Sequence, residues 1–433
     1  MISKYRRIPE PLLLIAVMVL VLSFNSCKKD PTIPVLSTDS ATDITINSAT
    51  LGGDITSDGG AAVTVRGVCW GTDNNPTAEG DHLEAGAGIG IFTCPVEGLD
   101  PNTIYHVRAY ARNSVGIAYG NEVVFATAIA APVITTAQVS AITATSAVSG
   151  GVISYDGGAQ ITESGICWST TPQPDLDDSF VLNSSGASTF SSTLTNLSSG
   201  TRYYVRAYVK NSEWTVYGGP ITFITKVADI EGNLYNTVII GSQVWMAENL
   251  RVTKFNDNTS IPNVTDNTEW STLSQAAYCW YNNDISIKPT LGALYSWFTI
   301  AEGSLCPSGW HVPTDSEFNS LEIFLGMNPD SVNIWGWRGT DQGKQLKSTT
   351  SWTDGSNGTN SSGFSGLAGG YRIGSSGNFY ALGVLSYWWT ATDDSANDKP
   401  DVAWYRRLDG IYNDVYKATT LKKGGKYIRC IKD

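Results

Sequence analysis

The chain has 433 residues, too many for one ordinary domain. Only 16% are charged and the formal charge is −12, which excludes a disordered polyelectrolyte and a cationic nucleic-acid binder, whose phosphate contacts need concentrated Lys and Arg. With 43 Gly, 20 Tyr and 14 Trp, the balance tilts towards β-rich, turn-rich modules, and three His (His82, His106, His311) leave little material for His-based metal or triad chemistry. Composition therefore favours binding or scaffolding over catalysis.

In chain order, Lys4, Arg6 and Arg7 precede an uncharged apolar run from Leu12 to Leu22. That run suits a signal-peptide core and is too short for a membrane span, which needs about 20 apolar residues. Ser26 then precedes Cys27, so Leu22-Ser23-Phe24-Asn25-Ser26-Cys27 resembles a bacterial lipobox, with Phe24 at the usual aliphatic position. Lys28-Lys29-Asp30 resembles the start of Bacteroidetes-type lipoproteins. The resemblance implies a signal peptide at 1–26, lipidation at Cys27, a tether at 27–33 and an outer-membrane lipoprotein, with surface exposure left open. An ordinary secretory signal with an incidental Cys is the alternative.

The next part of the chain repeats without gaps at an offset of 98 residues. Gly52-Gly53 returns as Gly150-Gly151, and Asp58-Gly59-Gly60 as Asp156-Gly157-Gly158. Cys69-Trp70 returns as Cys167-Trp168, and the tract around Tyr105 and Arg108 as that around Tyr203 and Arg206. Two modules follow, 34–127 and 132–225. In Thr103–Asn113, Tyr105, Val107, Ala109 and Ala111 alternate with His106, Arg108, Tyr110 and Arg112, a period of two that predicts a strand with Tyr/Val/Ala inwards and Arg/Tyr outwards. Leu99-Asp100-Pro101-Asn102 leading to Tyr105 resembles the tyrosine corner of a fibronectin type III domain, an all-β immunoglobulin-like sandwich. Cys69 and Cys167 read as core residues; Cys94 has Ser192 as its counterpart, and a Cys69–Cys94 bridge stays open.

Residues 226–433 hold 11 of the 14 Trp. Val238–Val244 around Gly241-Ser242 reads as a hairpin. Leu291–Ile300 has apolar residues at helix-compatible spacing. Thr314 to Glu317 forms a capping box ahead of Phe318, Leu321, Phe324 and Leu325, which predicts an amphipathic helix ending at Gly326. The stretch 339–378 reads as irregular, and strands are expected at Tyr387–Thr392, Val402–Leu408 and Tyr427–Lys432. The result is a mixed α+β domain. Several tracts in order carry a family resemblance: Asp229 to Asn233, Ile240 to Leu250, Cys306 to Thr314, Gly363 to Arg372, Trp388 to Thr392 and Ile428 to Asp433. Together they resemble the Fibrobacter succinogenes major paralogous domain, which is similar to the C-type-lectin-like and formylglycine-generating-enzyme fold. Cys279, Cys306 and Cys430 allow three single pairings; the resemblance favours Cys306–Cys430, since similar ties close lectin-like folds.

Trp388, Trp389, Trp404, Tyr405, Arg406 and Arg407 are the candidate ligand-binding residues, because sugar rings stack on aromatic faces while Arg hydrogen-bonds hydroxyls. Strand alternation predicts that one of Trp388/Trp389 and one of Trp404/Tyr405 points outwards. Asp393, Asp394, Asp398 and Asp401 form an oxygen-rich loop, but no metal site and no cofactor is assigned. The expectation is a lipid-anchored envelope protein, not an enzyme, whose terminal domain binds a polysaccharide or a surface protein, with no nucleic-acid partner. Structural or adhesive binding of a protein is the alternative, and an enzyme on the formylglycine-generating scaffold a third.

Overall fold

The computed structural model describes residues 29–183, 187–395 and 398–433. The signal segment and Cys27 lie outside the described residues. Strands dominate throughout. The chain divides into two compact units, one ending at Ile129 and one running from Ala130 to Asp433.

In the first unit, Val35–Thr38, Ser48–Ser57 and Gly90–Glu97 form one antiparallel sheet. His82–Glu84, Val65–Gly71, Ile104–Arg112 and Ile117–Tyr119 form the other, with Val123–Ala126 also paired to Ile104–Arg112. Leu51 and Phe92 from the first sheet meet Val68, Val107 and Ala109 from the second in a single apolar core. The expected alternation is present, since Tyr105, Val107, Ala109 and Ala111 are all buried. Tyr110 departs from it: on the opposite face, it is nevertheless only 2% exposed. Its ring lies across Gly67, where an added Cβ would come 3.0 Å from the Tyr110 ring and 2.1 Å from the Leu83 carbonyl.

Residues 133–224 repeat this architecture within the second unit, and the repetition extends to individual hydrogen bonds. The Tyr105 hydroxyl accepts from the Asp100 N–H at 3.0 Å, and the Tyr203 hydroxyl from the Ser198 N–H at 3.0 Å. Thr38 Oγ1 accepts from the Ala109 N–H, and Thr136 Oγ1 from the Ala207 N–H. Asn113 Nδ2 donates to the Asp58 carbonyl, and Asn211 Nδ2 to that of Asp156. Ser199 in place of Pro101 leaves the corner intact, because the bond uses only backbone and the Tyr hydroxyl. Cys69, Cys94 and Cys167 are buried free thiols, so the Cys69–Cys94 bridge left open by the sequence is not formed.

The C-terminal domain is built on two larger sheets, beside the two-stranded pairs Val227–Ala228 with Leu234–Tyr235 and Tyr278–Cys279 with Leu294–Tyr295. The first runs Thr237–Ile240, Gln243–Met246, Ile431–Lys432, Trp310–His311. The second runs Gly336–Arg338, Val415–Leu421, Lys399–Asp409, Leu385–Asp394, Gly369–Arg372, Phe379–Leu382. The Gly241-Ser242 turn joins the expected hairpin, and Asp315–Phe324 is helical behind a complete Thr314/Glu317 capping box.

Three expectations change. Leu291–Ile300 is not one helix: Gly292 sits at φ +76°, and Leu294–Tyr295 pairs with Tyr278–Cys279 before a short helix at Phe298–Ala301. Its apolar spacing reflects burial of Ala293, Leu294 and Tyr295 on all sides. The stretch 339–378 contains a helix at Gln342–Leu346 and a strand at Gly369–Arg372. The last strand is confined to Ile431–Lys432.

The second repeat and this domain pack as one unit. Lys432 Nζ donates to the Gly200 carbonyl at 2.9 Å, and Thr237 Oγ1 to that of Thr225 at 3.3 Å. Gly200, at φ +58°, lies so close to Trp310 that a Cβ there would come within 2.4 Å of its ring. An open cleft of about 910 Å³ lies along this junction, between Gln138, Arg202 and Ile239.

Candidate functional site

The six-stranded sheet arranges the candidate residues by register. Tyr387 stands opposite Arg407, which stands opposite Tyr416, which stands opposite Trp337; Trp389 stands opposite Tyr405. Directly opposed residues share a face, so these side chains line one face of the sheet. Their rings form a continuous row. Tyr412 and Trp337 are 4.2 Å apart between ring centres, Trp337 and Tyr416 5.1 Å, Tyr416 and Tyr405 6.3 Å, and Tyr405 and Tyr387 5.3 Å. Tyr371 lies 4.4 Å beyond Tyr387, and Tyr380 6.4 Å beyond Tyr371. The ends, Tyr412 and Tyr380, are 45% and 47% exposed, whereas Tyr387 and Tyr405 in the middle are buried. The row is therefore an aromatic ledge at each end with a recessed centre.

Two cations sit against it. Arg407 is held by Asp409 at 2.7 Å and lies 4.9 Å from the centres of both Trp337 and Tyr416. Its Nε is buried without a hydrogen-bond partner among the described residues. Lys426 Nζ lies 4.5 Å from the Tyr387 ring centre, 4.6 Å from Tyr405, 4.8 Å from Trp389 and 5.6 Å from Tyr371. Burial pushes the Tyr387 and Tyr405 hydroxyls well above the usual phenol range, so both stay neutral donors at physiological pH.

The opposite face of the same strands is ionic. Arg406 Nε donates to Glu322 at 2.8 Å and its Nη1 to Asp315 at 2.6 Å; Lys417 also reaches Asp315, and Arg338 reaches Glu322. Burial opposes the charge of Asp315, but Arg406 and Lys417 outweigh it and hold its carboxyl below the ordinary value. This network fastens the capped helix to the sheet.

The expected outward aromatics need correction. Trp388 and Trp389 do point to opposite faces, but each ring is covered by other segments and the residues are 1% and 0% exposed. Trp388 packs on Phe364 and donates to Asn249 Oδ1 at 2.8 Å, while Trp389 donates to the Tyr295 carbonyl at 2.9 Å. Tyr405 is buried in the row's centre and Arg406 in the ionic network, so neither is a surface contact. Of the six candidates, Trp404 and Arg407 are half-buried; Trp404 stacks edge-on against the exposed Trp335 at 5.1 Å. Trp337, Tyr371, Tyr380, Tyr412, Tyr416 and Lys426 were not among the candidates. The alternation of Tyr405 and Arg407 was the one signal that pointed to their face.

Cys306 and Cys430 are joined, with Cα atoms 5.9 Å apart. Cys279 is a buried thiol whose pKa is pushed up to about 12 by that burial, the opposite of a reactive thiolate. His311 pairs through Nδ1 with the Asp433 carboxylate at 2.6 Å and through Nε2 with that of Glu317 at 2.8 Å, bridging the capped helix to the last strand's end. In the Asp-rich loop, Asp393 is taken up by Lys422 at 2.9 Å. Among the described residues no group of three or more His, Cys, Asp or Glu is gathered as a metal ion would require, and no helix is long and apolar enough to cross a membrane.

No curated protein matches the chain. Residues 238–432 match the family model of the Fibrobacter succinogenes major domain, so the part of the chain that carries both sheets and the aromatic row is similar to that family.

Proposed function

We propose that the chain is a lipid-anchored envelope recognition protein. In this reading Cys27 carries the anchor in the outer membrane, and two fibronectin type III-like modules act as a stalk. A C-type-lectin-like terminal domain then binds a polysaccharide without catalysis. The observation that carries the binding function is the aromatic row with its exposed ends and recessed, cation-lined centre. Pyranose rings present apolar C–H faces that stack on such ledges, and Tyr hydroxyls and cations hydrogen-bond the sugar oxygens. The hydroxyl-to-backbone corners at Tyr105 and Tyr203 support the fibronectin-like reading of the stalk.

The test is a polysaccharide array probed with the chain from Cys27 onwards, made with Cys27→Ser so that it stays unlipidated, beside the Trp337→Ala/Tyr412→Ala variant. Saturable binding by the first, weakened about tenfold or more in the folded variant, supports the reading. A blank across the array moves the weight to a protein partner. That second reading draws on other exposed apolar residues of the domain: Ile411 is 83% exposed, Ile334 53% and Trp335 51%.

A further inference from the structure

Seven Lys and Arg side chains are buried among the described residues. Arg338, Lys347, Arg372, Arg406, Lys417 and Arg429 each find protein oxygens: Glu322, the Asp409 carbonyl, the Val264 carbonyl, Glu322, Asp315 and Asn249 respectively. Lys426 does not. Only 3% exposed, it is surrounded by ring faces, with neither hydrogen bond nor ion pair to its Nζ among the described residues. Burial alone pushes its pKa down to about 7, with no carboxylate near enough to restore it.

An ammonium carries three donors and is expensive to bury without acceptors. Ring faces offset part of that cost but accept no hydrogen bond. Its neighbours show that the position is not a general consequence of the turn. Lys422 pairs with Asp393, and Lys423 donates to the Ser271 carbonyl. Lys426 alone of the three is directed between Tyr387 and Tyr405, at the recessed centre of the row, where Tyr371 and Tyr405 also present hydroxyls with no protein partner among the described residues.

We propose that the recess takes the carboxylate of an acidic saccharide, a uronate residue whose sugar ring and neighbours stack along the row, with Lys426 as the group that reads the charge. The proposal rests on the polysaccharide-binding reading and deepens it. A single compact cation with flanking hydroxyls suits a planar monoanion. A phosphate ester, by contrast, usually collects several cations or a nest of backbone N–H groups, whereas the row's other cation, Arg407, is already paired with Asp409. The chain as a whole is strongly acidic, so long-range attraction would not draw in polyanions; selectivity has to come from this one local charge.

The experiment compares polygalacturonate with the same polymer after reduction of its carboxyl groups to alcohols. Both are titrated by calorimetry or biolayer interferometry against the chain from Cys27 onwards with Cys27→Ser. Wild-type binding should favour the acidic polymer by about tenfold or more, the worth of one charge-assisted hydrogen bond. Lys426→Met, verified as folded by near-ultraviolet circular dichroism, should bind both polymers equally at the weaker level. Lys426→Gln replaces it if the methionine variant does not fold. Equal wild-type affinity for the two polymers, or an acidic preference that survives in the folded Lys426 variant, overturns the assignment of Lys426 while leaving saccharide binding in place. Failure of wild type to bind either polymer, together with binding to a neutral polysaccharide panel, also overturns it. Failure on every saccharide sinks the underlying reading as well.

Discussion

Glu322→Gln is the sharpest test of how the sheet and helix are held together. Glu322 is 1% exposed in its side chain and faces two guanidinium groups, Arg338 at 2.5 Å and Arg406 at 2.8 Å. With Asp315 and Lys417 the cluster holds three cations against two carboxylates, and burial already draws Arg338 down to about 10. Neutralising Glu322 leaves Asp315 alone against three positive charges. Removing one partner from a dry ion pair costs about 3–5 kcal/mol. The Gln carbonyl keeps one acceptor in place, so we expect a loss near the lower end, about 3 kcal/mol. Because 11 of the 14 Trp follow residue 226, intrinsic fluorescence in urea reports chiefly on this domain. For an m-value of about 1–3 kcal/mol/M, the midpoint should fall by about 1–3 M. A loss below about 1 kcal/mol at unchanged m would show that water reaches the cluster and would refute the account of it as a dry clamp.

Two further outcomes are expected. Opening the Cys306–Cys430 bond, by reductant or by Cys306→Ala/Cys430→Ala, releases a loop spanning 124 residues and should lower the stability of the C-terminal domain by about 4–5 kcal/mol in the loop-entropy model; an unchanged urea midpoint would contradict it. For His311, burial works against the charge, but Asp433 and Glu317 outweigh it and raise the imidazole above its ordinary value. The stabilisation from this bridge is therefore complete below the unfolded value of about 6.5 and is lost as pH rises through the raised folded value. Asp433→Asn should lower the His311 titration midpoint seen by NMR, and an unshifted midpoint would mean that the bridge does not form in solution.

Local signals in the sequence carried far. The tyrosine corners, the capped helix and the Gly241-Ser242 hairpin each depend on residues a few positions apart, so their spacing can be read directly. The ungapped repeat told more, because matching side chains at a constant offset must make matching bonds. Orientation across the large sheet was not legible in the same way. Alternation correctly separates Trp388 from Trp389, but it cannot say that other segments cover both rings. Trp388 finds its cover in Phe364 and Trp389 in the segment around Tyr295, neither of which strand periodicity reveals. Lys426 was hidden for a related reason. Lys422-Lys423-Gly424-Gly425-Lys426 reads as a solvated turn, and only the return of the chain past Tyr295, Tyr387 and Tyr405 turns its last lysine inwards.

The strand at Ile431–Lys432 is the last part of its domain to be synthesised, yet it occupies an interior position in its sheet, between Gln243–Met246 and Trp310–His311. Tyr427, Ile428, Arg429 and Cys430 just before it are completely buried. While the chain is still growing, the earlier strands leave a slot that nothing else in the domain fills, and Cys306 waits without its partner. The domain therefore cannot close part-way through translation. Its first opportunity comes when the whole of it has been released, so the Cys306–Cys430 bond belongs to the last stage of folding.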